Sequence, residues 1–238
     1  GYRKGFRDEK GRGNLFFKVA EVLEVRRPRV VLLENVKNLK GHDQGRTFKI
    51  IIDTLEKLGY SVKFKVLNSM THANIPQNRE RIFIVGFLDK DEAEAFKFPD
   101  HLPLDASFKD FLQKKVDEKY YYNNKPLCKK LEADIKSEDT VYQWRRKYVR
   151  TNKKGVVPTL TANMGMGGHN VPIVKDEKGI RKLTPKECFM FQGFPKSFLL
   201  PDLADAKLYH QAGNSVTVPL VHRIAEEITN AFERPMEQ

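Results

Sequence analysis

Cysteine is nearly absent from this sequence: Cys128 and Cys188 are the only two in 238 residues. They show no CxxC spacing and no neighbouring histidine cluster, which excludes a disulfide framework or a zinc site and points to a reducing compartment. No metal is expected. No apolar run approaches the roughly 20 residues that a membrane span requires, and no apolar signal segment follows the opening Gly-Tyr-Arg, so nothing directs the chain to a membrane or to secretion. Acidic residues are also short in supply, 31 against 43 basic ones, for a net charge of +12. What is there is a 40% hydrophobic chain, long enough for one large domain or two smaller ones, each with its own core.

The basic excess is uneven. Residues 114–154 hold 13 Lys/Arg against 6 Asp/Glu. Tyr120, Tyr121, Tyr122, Tyr142, Trp144 and Tyr148 are interleaved with them. Cations among aromatics suit a phosphate backbone and unstacked bases. A plain solvated basic surface explains the charge equally well.

The first hundred residues alternate helix and strand. Phe16, Val19, Ala20 and Leu23 fall at helical spacing, with Asn14 as a candidate cap and Pro28 beyond the end. Val30 to Leu33 forms a continuous apolar run, the pattern of a parallel strand buried on both faces. Phe48, Ile51, Ile52, Leu55 and Leu58 mark a second helix, with Gly59 placed to stop it. Strands are expected at 61–67 and 81–87, which completes an αβαβ rhythm. From about Pro99 that rhythm gives way to a loop-rich region. Thr184-Pro185-Lys186-Glu187 is a capping box with proline at the first helical position. A last amphipathic helix carries Val221, Ile224, Ala225, Ile228 and Phe232.

Three local features carry chemistry. Glu34-Asn35-Val36 lies at the carboxyl end of a predicted strand, where open α/β sheets bind ligands; it could also simply cap the next helix. Arg79 and Arg81, two residues apart at the entry to a strand, point to one side in a regular strand. That suits gripping an anion or holding a carboxylate, and a surface charge cluster is the alternative. Gln211-Ala212-Gly213-Asn214-Ser215-Val216 reads as a small polar loop before the final helix, where glycine permits close backbone approach and the helix terminus offers N–H groups.

The ordered series ENV, QNRERIFIVG, RKLTPKECFMFQGFP and AGNSV resembles the motifs of cytosine-C5 DNA methyltransferases, in the style of bacterial and phage restriction-modification enzymes. The opening GYRKGFRDEKGRGNLFF is similar to the segment that follows the Pro-Cys-Gln loop of those enzymes. Everything but about 103–156 takes part in the likeness.

The resemblance implies an α/β fold: an S-adenosylmethionine-dependent, Rossmann-like sheet, incomplete at its N-terminal side, with a smaller loop- and strand-rich target-recognition domain. The expected layout is catalytic domain over 1–99, recognition domain and hinge over 100–205, and a return to the catalytic domain over 206–238. It implies methyl transfer from S-adenosylmethionine to a cytosine flipped out of duplex DNA, leaving S-adenosylhomocysteine. By resemblance, Glu34 holds cytosine N3 and the exocyclic amine, while Arg81 and secondarily Arg79 hold O2 and the surrounding loops. Asn214, Ser215 and Val216 close on the cofactor. The segment from Thr159 and Thr161 to Gly167, Gly168 and His169 reads DNA in the major groove. Arg145, Arg146, Lys153 and Lys154 are candidate phosphate contacts.

The family's Pro-Cys-Gln nucleophile, opening strand and Gly-rich cofactor turn do not occur in this sequence. The resemblance therefore implies that they come from a further N-terminal part, in the same gene or a separate subunit. By itself the chain is expected to be inactive, and poorly soluble or partly folded, because the apolar run at Val30 would present an unpaired edge. A bacterial or phage cytoplasmic setting follows from the same likeness. Two alternatives stay open: a tRNA cytosine-C5 methyltransferase, and a non-catalytic DNA-binding module of the same fold.

Overall fold

The structure, a computed structural model, describes residues 15–145, 147–152, 155–165 and 171–233. Asn14 lies outside them. In chain order the elements are α1 (Leu15–Arg26), β1 (Val30–Val36), α2 (Arg46–Lys57), β2 (Ser61–Asn68), α3 (Ser69–His72), β3 (Gln77–Asn78), β4 (Glu80–Phe87) and α4 (Lys90–Ala95). There follow α5 (Cys128–Asp134), β5 (Val141–Trp144), β6 (Val149–Asn152), β7 (Val157–Pro158), β8 (Ile173–Asp176), β9 (Gly179–Lys182), α6 (Pro185–Met190), α7 (Asp205–Asn214) and α8 (Val218–Glu233). They gather into two compact units: residues 1–67, 80–99 and 224–238 in the first, 68–79 and 100–223 in the second.

The first unit is built on the sheet β1-β4-β2. Its centre is β4, whose residues Ile82 to Phe87 are all buried. A strand with a neighbour on each side, covered on both faces, must be apolar throughout, and Ile-Phe-Ile-Val-Gly-Phe meets that demand. Two expectations for β1 are corrected here. It runs antiparallel to β4, not parallel to its neighbour, and only Val31 is buried. The cause is position: among the described residues β1 pairs on one side only. One apolar cluster joins Leu23, Val31, Ile51, Leu55, Tyr60, Ile82 and Ile84. On the other parity of β4, Phe87 lies 6.3 Å from Phe232 and 5.4 Å from Phe96. The part of α8 in this unit buries Ile224, Ile228 and Ala231; Ala225, expected on that face, is exposed. Gly59 follows α2 with φ +89°, as a helix stop requires.

The second unit holds an antiparallel four-stranded sheet, β6-β5-β8-β9, and a short parallel pair, β3-β7. Its larger core runs from Phe108 through Leu160, Met164, Leu183, Phe191 and Leu208 to Ala212. The capping box forms as read: Thr184 accepts from the Glu187 N–H, and Glu187 accepts from the Thr184 N–H at 2.8 Å. Glu187 has a further task. It is fully buried and takes a two-point ion pair from Arg181, 2.9 Å on each arm, while Asp176 meets Arg181 Nε at 2.6 Å. Burial alone would lower the Arg181 pKa; the two carboxylates outweigh it and hold the guanidinium above its ordinary value.

The aromatic residues of the basic stretch turn out differently from a base-stacking platform. Tyr120, Tyr121, Tyr142 and Trp144 are buried, and Tyr148 is the exposed one. Tyr142 and Trp144 pack in one core with Leu131, Ile173 and Ile180, and Tyr120 belongs to the larger core of the unit.

Candidate functional site

The antiparallel register decides which charged groups meet. Glu34 pairs across with Phe83, and Val36 with Arg81. Cross-strand partners and residues two apart share a face, so Glu34 and Arg81 are diagonal neighbours on one side of the sheet. Glu34 Oε1 lies 2.8 Å from Arg81 Nε, and Arg81 Nη1 donates to the Glu80 carbonyl at 2.9 Å. The Glu34 side chain keeps 28% of its exposure and Arg81 14%, enough to leave the pair accessible to a ligand. Burial lowers the Arg81 pKa, opposed by the Glu34 charge and hydrogen bond. Glu80, on the opposite parity, is ion-paired with Lys37.

Arg79 does not join them. The chain leaves regular strand geometry at Arg79, between β3 and β4, so the same-side expectation for residues 79 and 81 fails. Its side chain is buried within the second unit. There Nη1 donates to the Leu160 carbonyl at 2.9 Å, and Nη2 donates to the carbonyls of Ser215 at 2.7 Å and Gly213 at 3.2 Å. Gln77 works beside it. Its amide donates to the Phe191 carbonyl at 2.7 Å and its oxygen accepts from the Leu160 N–H at 3.1 Å. Gln192 donates to the Ala212 carbonyl at 2.7 Å.

The segment read as a polar loop is largely helix, since α7 runs through Asn214. Only Ser215, Val216 and Thr217 lie between α7 and α8. The close approach at Gly213 is made by the chain itself: a Cβ there would lie 2.2 Å from the Thr161 carbonyl carbon. Asn214 is exposed beside His210, Val216 is exposed, and Ser215 Oγ is buried with no hydrogen-bond partner among the described residues. A buried hydroxyl with unused hydrogen-bonding capacity, next to an exposed amide and an exposed valine, fits a polar cofactor with an apolar flank.

Thr159 donates to the Asn78 carbonyl at 2.7 Å, and Thr161 to the Asn163 side chain at 2.7 Å. Arg145 is exposed at the β5–β6 turn. Arg146, Lys153, Lys154, Gly167, Gly168 and His169 lie outside the described residues. The second unit also has a cleft of about 450 Å³ lined by Lys109, Lys114, Lys175 and Lys178 around Asp176 and Arg181. Sequence reasoning passed over that cleft, and over Gln77 and Gln192. A glutamine inside the apolar run Met190-Phe191-Gln192 was the available signal, because such a residue is buried only when it is bonded.

Both cysteines are buried, and burial raises both thiols above their ordinary values, Cys188 strongly. Neither is placed to act as a nucleophile. Among the described residues no group of His, Cys, Asp and Glu is arranged to hold a metal, and no helix is long and apolar enough to cross a membrane.

A sequence profile described as C-5 cytosine-specific DNA methylase matches residues 1–230. The Type II methyltransferase M.Bsp6I of Bacillus sp. (strain RFL6) is 55% identical over 232 residues, covering 96% of this chain and 73% of that protein. The Type II methyltransferase M.DsaV of Dactylococcopsis salina is 39% identical over 250 residues, covering 100% of this chain and 67% of its own length. Among solved structures, the Dnmt2 methyltransferase of S. pombe superposes with a TM-score of 0.66 at 16% identity, over 94% of this chain and 74% of that one. The last likeness concerns the fold alone, an α/β methyltransferase fold.

Proposed function

Since this chain belongs to the C-5 cytosine-specific DNA methylase family, we propose that it supplies the base-holding, cofactor-closing and DNA-reading parts of a restriction-modification methyltransferase. The reaction is transfer of a methyl group from S-adenosylmethionine to C5 of a cytosine flipped out of duplex DNA. The observation that carries this reading is the Glu34–Arg81 pair.

Cytosine presents an amine, N3 and O2 along one edge. A carboxyl beside a guanidinium is complementary to that edge: Glu34 meets the amine and N3, and Arg81 donates to O2. Negative charge gathers on N3 and O2 when a nucleophile adds at C6. Groups already fixed there stabilise the transition state more than the ground state. Partial burial of Arg81 strengthens its effect, since a guanidinium out of bulk water acts through a lower dielectric.

Asn214, Ser215 and Val216 would hold the cofactor, with Ser215 Oγ donating to or accepting from one of its polar groups. When bound, S-adenosylmethionine supplies an electrophilic methyl. The attacking thiol comes from a cysteine other than Cys128 and Cys188, so this chain by itself does not methylate. Residues 100–205 form the target-recognition domain with its hinge. Thr159, Thr161 and the segment through Gly167, Gly168 and His169 face the bases, and Arg145, Arg146, Lys153 and Lys154 contact phosphates. Arg79 serves this function by shaping the chain, not by touching the base.

The test is to express the complete protein that carries this chain in a host without cytosine methylation and to map 5-methylcytosine in its DNA. A sequence-specific mark, lost in Glu34→Gln, is expected. Labelling of tRNA instead of duplex DNA would establish the RNA alternative. Specific DNA binding without any transfer would establish the non-catalytic one.

A further inference from the structure

Lys182, the last residue of β9, holds its ammonium over two aromatic rings, 5.5 Å from the Tyr209 centroid and 5.6 Å from that of Tyr120. The residue is partly buried. Among the described residues its Nζ has neither a carboxylate in ion-pair reach nor a hydrogen-bond acceptor. Two more lysines of the second unit stand beside it. Lys119 lies over Tyr120 at 5.0 Å, and Lys125 donates to the Lys119 carbonyl at 2.9 Å. Burial lowers the Lys182 pKa, and the charges of Lys125 and Lys119 lower it further. Asp205 is the single carboxylate that opposes them, and it is already paired with Lys119 at 3.2 Å.

A cation withdrawn from water without a counter-charge is costly, and the faces of two rings offset that cost only in part. Three ammoniums sharing one carboxylate leave a local excess of positive charge, which one further anion would neutralise. Lysine is a compact point charge with three rotatable donors, so it can meet a phosphate oxygen from any side. Tyr209 points to where that phosphate comes from. Gly165 lies so close to the Tyr209 ring that a Cβ there would stand 2.3 Å from Cδ2. The ring that carries Lys182 is therefore also the support of the segment assigned to the bases. We propose that Lys182, with Lys119 and Lys125, forms a phosphate site that takes one backbone phosphate of the duplex beside that segment. This rests on the assignment of 159–169 to DNA. The contact would fix the register of the protein on the duplex while carrying no sequence information of its own.

The complete protein carrying this chain is titrated by fluorescence anisotropy with a duplex containing the mapped site and with an unrelated duplex, over a range of salt concentrations. Lys182→Gln removes the charge and keeps a polar side chain. It is expected to lower the slope of log K against log salt by about 0.9, the share of one phosphate. The same loss amounts to about eightfold weaker binding at about 0.1 M salt, for both duplexes alike. Lys182→Arg restores the slope. Lys125→Gln, at an exposed position, shifts it in the same direction and covers the case in which Lys182→Gln does not fold. A second arm measures thermal stability with inorganic phosphate at fixed ionic strength. Stabilisation of the wild type and not of Lys182→Gln, with an unchanged DNA slope, retains the phosphate site and overturns its assignment to the duplex. An unchanged slope with no phosphate effect overturns the proposal outright and leaves Lys182 held by the rings alone. A wild type that binds neither duplex overturns the functional reading instead, and the phosphate arm still tests the site.

Discussion

Arg79 and Arg81 stand two residues apart, yet one belongs to the second unit and the other to the first, and they do opposite things. Arg81 shares a half-open face with a single carboxylate, Glu34. Arg79 is enclosed and committed to three backbone carbonyls. Burial divides other charged pairs in the same way: Arg181 and Glu187 of the second unit are enclosed together, whereas Lys37 and Glu80 of the first meet at the surface. An arginine held by carbonyls of its own chain stabilises the fold; one that keeps an accessible face is available to a ligand. Proximity in sequence says nothing about which of the two an arginine will be.

The severest test of the contrast is Glu187→Leu. It leaves Arg181 with Asp176 as its one carboxylate among the described residues and removes the acceptor of the Thr184 and Gln113 N–H groups. Denaturant unfolding should show a loss of about 3–5 kcal/mol, as for other broken buried pairs. Next comes Glu34→Gln, expected to lower methyl transfer by about 100-fold in the complete protein, the scale of a lost general acid or base. Its melting temperature should barely move, because a partly exposed pair contributes at most about 1 kcal/mol.

A smaller effect, but a sharper comparison, comes from paired truncations. Arg79→Met leaves buried carbonyls unbonded and should cost about 3 kcal/mol in stability, whereas Arg81→Met should cost about 1 kcal/mol and remove more activity. Equal stability losses would erase the distinction between the two arginines. The mildest test uses the single tryptophan. Trp144 is 7% exposed, so its emission should be blue-shifted, poorly quenched by iodide and unchanged on adding DNA. A strong DNA-induced quench would restore the stacking role that the basic, aromatic-rich stretch suggested.

Much of the local structure was legible. Helical spacing marked α1, α2 and α8; the capping box at Thr184 marked α6; an apolar run marked β1, and strands were expected where β2 and β4 lie. Those features depend on residues within a turn or a strand of each other. The Glu34–Arg81 site was legible only as two separate candidates, since their meeting requires the β1–β4 register. α7 was missed because Gly213 and Asn214 read as loop residues, and packing of Thr161 against Gly213 outweighs glycine's poor helix propensity.

The chain's own order of residues determined its family, the main helices and strands of the first unit and the charged site candidates, because motif spacing and periodicity are properties of the chain itself. Tertiary structure alone decided that β4 and not β1 is the enclosed strand, that Tyr120, Tyr121 and Tyr142 of the basic stretch are buried, and that two neighbouring arginines part company. Each of those outcomes turns on which surfaces are brought together over long sequence separations, and burial, which sets the strength of a charge or a hydrogen bond, exists only once they are.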